Sequence, residues 1–434
     1  MVFKIGLLGL GTVGIGTAKI LLSPQGRHPL IHELEIYRVG VRDISKTRDV
    51  NISPNILTTD LEAIATDPDV DIIIELIGGL EPARSLILKA IEHGKHIVTA
   101  NKAVISRYGQ EIFDAANKKS VYVMLEASVG GGIPVIQPLK ESLGVNRIHS
   151  ITGIVNGTTN YILTRMEKEG ADFADVLADA QRLGYAEADP TADVEGLDAK
   201  DKIAILGSLA FGSIIKLEDI YCEGISQITA ADITYAAQLD FVIKLLAIAK
   251  GYPNSTNSTS DKLQLRVHPT LIPKTHPLAS INDVYNAILI EGEPIGQVMF
   301  FGPGAGAGPT ASAVVSDIMS IAAILQTKTE PIPHPLLSCT HQKSCEIEPI
   351  KELMTRFYTR FLTQDKPGVI GKLGSCFGKY NVSLESVVQT GIHNQLAEIV
   401  VVTHDVREGN FRQALGEIQS LDIIDSIPSI LRVL

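Results

Sequence analysis

The run Gly9-Leu10-Gly11-Thr12-Val13-Gly14 follows a short apolar segment, Lys4–Leu8, and opens a stretch with apolar residues at helical spacing, Val13–Leu22. A strand that turns into a helix in so few residues needs three different things from its glycines. The first permits the tight turn, the second lets the backbone approach a pyrophosphate, and the third lets helix and strand pack closely. Gly9, Gly11 and Gly14 stand at those places and Thr12 and Val13 lie between them, so the N-terminal segment is expected to bind a dinucleotide. The next expected strand, Glu35–Val41, runs into Arg42 and Asp43. An acidic residue there suits the ribose hydroxyls of NAD, and an arginine suits the 2′-phosphate of NADP. Arg42 comes first and Lys46 follows closely, which tips the expectation to NADP and leaves NAD possible.

Short β-rich runs alternate with helical patterns as far as Leu125, as in a doubly wound parallel sheet flanked by helices. Further strands are expected at Val70–Leu76, His96–Thr99 and Val121–Leu125, and helices at Pro82–His93 and Arg107–Lys119. With 434 residues the chain is long enough for roughly two to three compact units. An α/β Rossmann-like domain is expected over 1–130 and an α+β substrate and dimerisation domain over 131–304. The second contains helices at Phe173–Leu183 and Leu197–Ala210 and strands around Leu263–Pro269 and Ala287–Glu291. GPGAGAG at Gly302–Gly308 precedes a helical run, about 305–328, that is expected to return to the first domain, with Gly306 near the cofactor. After the Pro-rich linker Pro331–Leu337, residues 351–434 follow a βαββαβ pattern.

Composition removes several classes of function. Net charge is −11 with no basic cluster, so neither nucleic acid nor an anionic membrane surface is an expected partner. No apolar run is expected to span a membrane and the N-terminus lacks a cleavable-signal pattern, which points to the cytoplasm. Cys222, Cys339, Cys345 and Cys376 lack metal or redox spacing and are expected to be buried thiols. PNSTNSTS, Pro253–Ser260, is expected to be a mobile polar loop, its Asn254 and Asn257 sequons unused without a secretory route.

Three further stretches carry chemistry. TANKA, Thr99–Ala103, puts Lys102 at the carboxyl end of a strand, the edge where open α/β sheets bind ligands. EASVGGGIP, Glu126–Pro134, has three successive glycines whose backbone freedom suits either a domain hinge or carbonyls turned to a cation. In GYAEADPTADVEGLDAKDKIAIL, Gly184–Leu206, Asp198 and Lys202 share one helical face. That spacing equally describes a helical ion pair and a lysine held by a carboxylate for proton transfer to an alcohol/carbonyl couple.

Taken in order with GIVNGTTNYIL, these motifs resemble homoserine dehydrogenase of the monofunctional form over essentially the whole chain, with an ACT-like regulatory domain at the end. The resemblance implies NAD(P)-dependent interconversion of L-aspartate 4-semialdehyde and L-homoserine, in threonine, methionine and isoleucine biosynthesis. It implies Lys202 as general acid/base, Asp198 and Glu187 for substrate, Asp193 as a further acidic candidate, and Lys102 between cofactor and substrate. It also implies a monovalent cation such as sodium at Glu126, Val129, Gly131 and Ile133. An L-threonine effector is implied near Asp365, Gly368 and Asn381, and so is a homodimer or homotetramer. The alternative is a non-catalytic nucleotide- and amino-acid-sensing protein. A semialdehyde dehydrogenase would need a nucleophilic cysteine beside a histidine, a context the four cysteines do not offer.

Overall fold

The computed structural model describes residues 2–252, 262–327, 334–338, 343–393 and 396–434. Its first sheet comprises β1 (Phe3–Leu8), β2 (Leu34–Gly40), β3 (Leu57–Thr58), β4 (Ile72–Glu75), β5 (His96–Thr99) and β6 (Val123–Met124). All are parallel, in the order β3-β2-β1-β4-β5-β6. Ile5, Leu7, Ile72, Ile73 and Ile74 are fully buried, which is why these strands read as continuous apolar runs rather than alternating ones. The order reverses at β1, so a crevice opens past the carboxyl ends of β1 and β4.

Helices α1 (Thr12–Leu22), α2 (Leu61–Thr66), α3 (Ala83–Glu92) and α4 (Lys102–Lys119) connect the strands. Helix α4 starts at Lys102 and not at the expected Arg107, because Asn101 caps it: its side chain accepts the Val104 N–H at 3.3 Å. The helix Ala307–Thr327 packs on α1. A Cβ on Gly16 would lie 2.5 Å from the Ala307 carbonyl oxygen, so only glycine allows this approach. By length and composition that helix could cross a membrane, against expectation. Its apolar side is instead buried: Val314, Ile318 and Ile321 share a cluster with Ile5, Leu7 and Ala18.

The second sheet runs, in spatial order, through Gly296–Pro303, Tyr285–Glu293, Arg147–Ile154, Phe241–Tyr252 and Lys262–Pro273, antiparallel throughout. The helix Leu197–Phe211 lies against it through Ile203 and Leu206, which share a cluster with Leu245, Leu265 and Val267. The C-terminal unit has the expected order: Met354–Gln364, Val369–Lys379, Leu384–His393, Leu396–Thr403, Glu408–Gln419 and Ile424–Val433. Its core includes Phe357 stacked on Phe411, ring centroids 4.0 Å apart.

The expected linker does not set this unit apart. Its last strand pairs with Lys262–Pro273, Thr270 opposite Arg432 and Leu271 opposite Val433, so the two sheets are continuous. Arg360 adds a buried clasp, donating to Asp232 at 3.0 Å, Glu398 at 2.8 Å and Thr229 at 3.1 Å. Of the cysteines, Cys376 is buried as expected, whereas Cys222 and Cys345 are half-buried. Cys339 and the run Pro253–Ser260 lie outside the described residues.

Candidate active site

The three glycines of the first turn meet different constraints. Gly9 has φ +103°, and its N–H donates to the Gly40 carbonyl at 2.9 Å. A Cβ on Gly9 would lie 2.7 Å from the Leu76 carbonyl oxygen, and one on Gly14 only 2.2 Å from that of Gly9. Gly11 faces open space, with nothing within 4 Å of a Cβ built there. It precedes Thr12 and Val13, the first residues of α1, where free N–H groups and the helix dipole favour an anion.

Beside this turn is a cleft of about 410 Å³ bounded in part by Gly9, Gly11, Arg42, Asp43, Lys46 and Arg48. Asp43 is tied to its own loop: its carboxylate accepts the Ser45 N–H at 2.8 Å and hydroxyl at 2.6 Å. Those bonds hold its pKa below the ordinary value. Arg48 donates to the Lys46 and Asp43 carbonyls, both at 2.8 Å. The Arg42 guanidinium has no partner among the described residues. Gly306, at φ +123°, immediately precedes the return helix and its carbonyl accepts the Thr310 N–H at 3.1 Å; it is not among the residues bounding the cleft.

A second group of side chains converges on Asp198. Its Oδ2 accepts Lys202 Nζ at 2.7 Å and Asn156 Nδ2 at 2.9 Å, and its Oδ1 pairs with Lys102 Nζ at 2.6 Å. Lys202 Nζ also donates to the Val155 carbonyl at 2.6 Å. Asp198 sits in the first turn of its helix, where the dipole favours a carboxylate; Lys102 sits in the first turn of α4, where the dipole disfavours a cation. The Lys102–Asp198 pair offsets the second effect and ties the nucleotide domain to the substrate domain.

Burial separates the two lysines. Lys202 and Asp198 are 8% and 7% exposed, whereas the Lys102 side chain is 40% exposed. Burial draws the Lys202 pKa below the ordinary lysine value against the pull of Asp198, and the nearby charge of Lys102 adds to the lowering. Burial also opposes charge on Asp198, but Lys202 and Lys102 on either side hold its carboxyl well below the usual range. The cluster therefore combines a fixed carboxylate with a lysine tuned towards proton exchange.

Asn156 was not singled out from the sequence. Its Oδ1 caps the helix Gly157–Glu169 by accepting the Thr159 N–H at 2.9 Å, and this leaves Nδ2 to bridge Asp198 and, at 2.7 Å, Asp193. An asparagine before a Gly-Thr-Thr helix start was the available signal. Asp201 was likewise missed as a tether: it accepts Ser106 Oγ and Arg107 Nη1, each at 2.9 Å, across to α4. Asp193 thus joins the site, while Glu187 is exposed and its carboxylate has no partner among the described residues.

The loop after β6 joins the two domains. Glu126 is buried and its carboxylate accepts the N–H groups of Val135, Ile136 and Gln137 at 2.6, 2.7 and 2.7 Å, so its side chain is engaged. Gly130 and Gly131 have φ +71° and +56°, and a Cβ on Gly131 would lie 2.5 Å from the Gly304 carbonyl oxygen. The carbonyls of Val129, Gly131 and Ile133 accept no hydrogen bond among the described residues. No cluster of three His, Cys, Asp or Glu side chains suited to a metal ion occurs among those residues. In the C-terminal unit Asp365 and Gly368 border a pocket of about 260 Å³. Asn381 does not; it follows the far end of the helix Val369–Lys379.

Comparison with known proteins matches residues 9–126 to the NAD-binding domain of homoserine dehydrogenase, 134–319 to homoserine dehydrogenase and 357–422 to the ACT domain. The homoserine dehydrogenase of Synechocystis sp. is 65% identical, with 100% of each chain covered. That of Neisseria gonorrhoeae is 42% identical over 99% of this chain and 98% of its own. The crystal structure of a homoserine dehydrogenase from Thiobacillus denitrificans superposes with a TM-score of 0.92 at 40% identity, covering 100% of this chain and 98% of its own. A hyperthermophilic archaeal homoserine dehydrogenase in complex with NADPH has a TM-score of 0.61 at 26% identity, covering 76% and 99%. The nucleotide cleft, the bridged lysine–carboxylate cluster and these matches over the full length agree: the chain belongs to the homoserine dehydrogenase family, NAD(P)-binding oxidoreductases acting on a CH–OH group.

Proposed function

We propose that Lys202 is the general acid and base in the reversible reduction of L-aspartate 4-semialdehyde to L-homoserine. The observation that carries this reading is the buried Nζ of Lys202, fixed between the Val155 carbonyl and Asp198 on the side of the substrate domain that meets α4. The nicotinamide, when bound, supplies or accepts the hydride at the substrate's aldehyde carbon. Lys202 gives the carbonyl oxygen its proton in reduction and removes the hydroxyl proton in oxidation. Asp198 orients Lys202 and the substrate, Lys102 faces the reacting end, and Glu187 and Asp193 receive the substrate ammonium. Reduction needs protonated Lys202, so its rate falls as pH rises through the lowered Lys202 pKa, whereas oxidation rises over the same range. Paired pH–rate profiles check this; two profiles with the same slope would remove Lys202 from the proton step.

NADP is the proposed cofactor, because three cations border the cleft and Asp43 is turned into its own loop. Arg42→Ala is expected to raise KM for NADPH roughly tenfold, one lost charge-assisted contact of ~1.4 kcal/mol, and to leave KM for NADH unchanged. Equal change in both would favour NAD. A monovalent cation such as sodium fits the carbonyls of Glu126, Val129, Gly131 and Ile133, three of which accept no hydrogen bond among the described residues. Replacing sodium by a bulky organic cation should then lower activity, and unchanged activity would refute it.

L-Threonine is the proposed effector at the pocket bordered by Asp365 and Gly368. Inhibition by threonine that Asp365→Ala relieves supports this, and indifference to threonine opposes it. A homodimer, or a tetramer built from it, would cover the edge strand Gly296–Pro303, where Met299 and Phe301 are 39% and 54% exposed. Light scattering that returns the mass of one chain would exclude both. The setting proposed is the cytoplasm.

A further inference from the structure

One buried arginine connects the ACT unit to the turn that starts the catalytic helix. Arg432, on the last strand, is 2% exposed. Within its own unit it grips Glu408, Nε to Oε2 at 2.9 Å and Nη2 to Oε1 at 2.6 Å, at the first residue of the helix Glu408–Gln419. Its remaining arm, Nη1, reaches Glu223 Oε2 at 2.9 Å on the catalytic side. Glu223 is also held by the Tyr221 hydroxyl at 2.7 Å.

The residues beside Glu223 clamp the turn Val194–Gly196. The Ile225 N–H donates to the Val194 carbonyl at 2.8 Å, and Cys222 Sγ donates to the Glu195 carbonyl at 3.3 Å. A Cβ on Gly224 would lie 2.3 Å from the Val194 carbonyl oxygen and 2.5 Å from Glu195 Cα, so the two segments touch backbone to backbone. Gly196, at φ +77°, then hands over to the helix that carries Asp198 and Lys202, and Asp193 lies just before the turn. A displacement of the backbone at Glu223–Gly224 therefore meets the backbone of Val194 and Glu195 directly. On the other flank a cavity of about 490 Å³, bordered by Glu195, Glu223, Arg412 and Leu431, leaves the seam room to move.

We infer that Arg432 is a positioning residue for the catalytic helix, acting through Glu223 on the turn Val194–Gly196 and so coupling the state of the ACT unit to the placement of Asp193 and Asp198. The inference rests on the substrate-side roles proposed above for those two residues. A fork that holds two carboxylates from different units fixes their separation, which a lysine would do less rigidly. Arg432 and Glu408 are buried whereas the Glu223 side chain is 34% exposed, so neutralising Glu223 leaves Arg432 paired with Glu408 and removes only the link to the catalytic side.

The test compares Glu223→Gln, Arg432→Met and Arg432→Lys with the parent enzyme. Measured are kcat and KM for aspartate semialdehyde, NADPH dissociation by fluorescence, and thermal unfolding. Glu223→Gln is nearly isosteric and spares the ACT core, so it keeps the test open if Arg432→Met fails to fold. Expected is a fall of about three- to thirty-fold in kcat/KM for aspartate semialdehyde in Glu223→Gln, with NADPH affinity and unfolding temperature at parent values. Where folded, Arg432→Met should share the loss and Arg432→Lys recover part of it. Parent-like kcat/KM in Glu223→Gln overturns the inference, as does a loss matched by equal losses in NADPH affinity and unfolding temperature. Lys202→Ala separately decides the role of Lys202, so failure of the catalytic assignment and failure of the coupling are distinguishable.

Discussion

Lys202→Ala is expected to lower turnover by roughly 100- to 10,000-fold, the range contributed by a positioned proton donor, while NADPH binds as it does to the parent. The two halves of this expectation have separate structural grounds. The dinucleotide turn, Gly9 to Gly14, belongs to the first sheet and shares no hydrogen bond with Lys202. Loss of the Lys202 ammonium also does not strand the carboxylate beside it, because Asp198 keeps Lys102 at 2.6 Å and Asn156 at 2.9 Å. The helix should therefore stay seated, and the missing function is proton transfer. Steady-state assay in both directions with parallel fluorescence titration of NADPH checks this. Retained turnover would transfer the role to another group, with Lys102 first in line because it meets the same carboxylate.

The parts of this molecule that could be read beforehand are those determined over a few residues. The glycine turn, the i, i+4 relation of Asp198 and Lys202, and the βαββαβ order at the C-terminus all repeat on the scale of one turn or one strand. What escaped was fixed at a distance. Strand β3 and helix α2 are too short to display a period, and the start of α4 at Lys102, five residues before the expected Arg107, depends on the Asn101 cap. Asn156 meets Asp198 across 42 positions and Arg107 meets Asp201 across 94, separations on which local spacing is silent. The union of the two sheets is the extreme case, since Thr270 faces Arg432 only after the whole C-terminal unit has folded.

That union bears on how an effector at the proposed ACT pocket would reach the catalytic domain. An effector domain on a free linker would need a contact that forms and breaks to influence the active site. Here the ACT unit is joined by strand pairing, by the Arg360 clasp and by Arg432, so a small shift within it is carried by packed backbone rather than by docking. Packed interfaces respond to such shifts by switching between discrete arrangements. The pocket at Asp365 and Gly368 lies next to the strand Met354–Gln364, whose Arg360 grips the catalytic domain, so occupation of that pocket has a short path to the seam.

Gly14→Ala is expected to cost on the order of 100-fold in NADPH affinity, about 2.7 kcal/mol and within the range of an overpacked turn, and Gly11→Ala should separate the reasons. The added methyl at Gly14 would sit 2.2 Å from the Gly9 carbonyl oxygen, a backbone atom that cannot rotate aside. Relief requires moving the turn itself, and Gly9 is anchored to the Gly40 carbonyl at 2.9 Å and pressed against the Leu76 carbonyl. Overpacking of this kind costs typically ~1–3 kcal/mol of stability, so unfolding temperature should fall together with affinity. At Gly11 the methyl meets nothing within 4 Å and the backbone φ of −87° suits any residue, so stability should be unchanged. Its only consequence would be to stand where the pyrophosphate approaches the start of α1, lowering affinity alone. Fluorescence titration with thermal unfolding on both variants distinguishes the cases: affinity and stability lost together at Gly14, affinity alone at Gly11. Parent-like NADPH binding in both would mean that the dinucleotide does not use this turn.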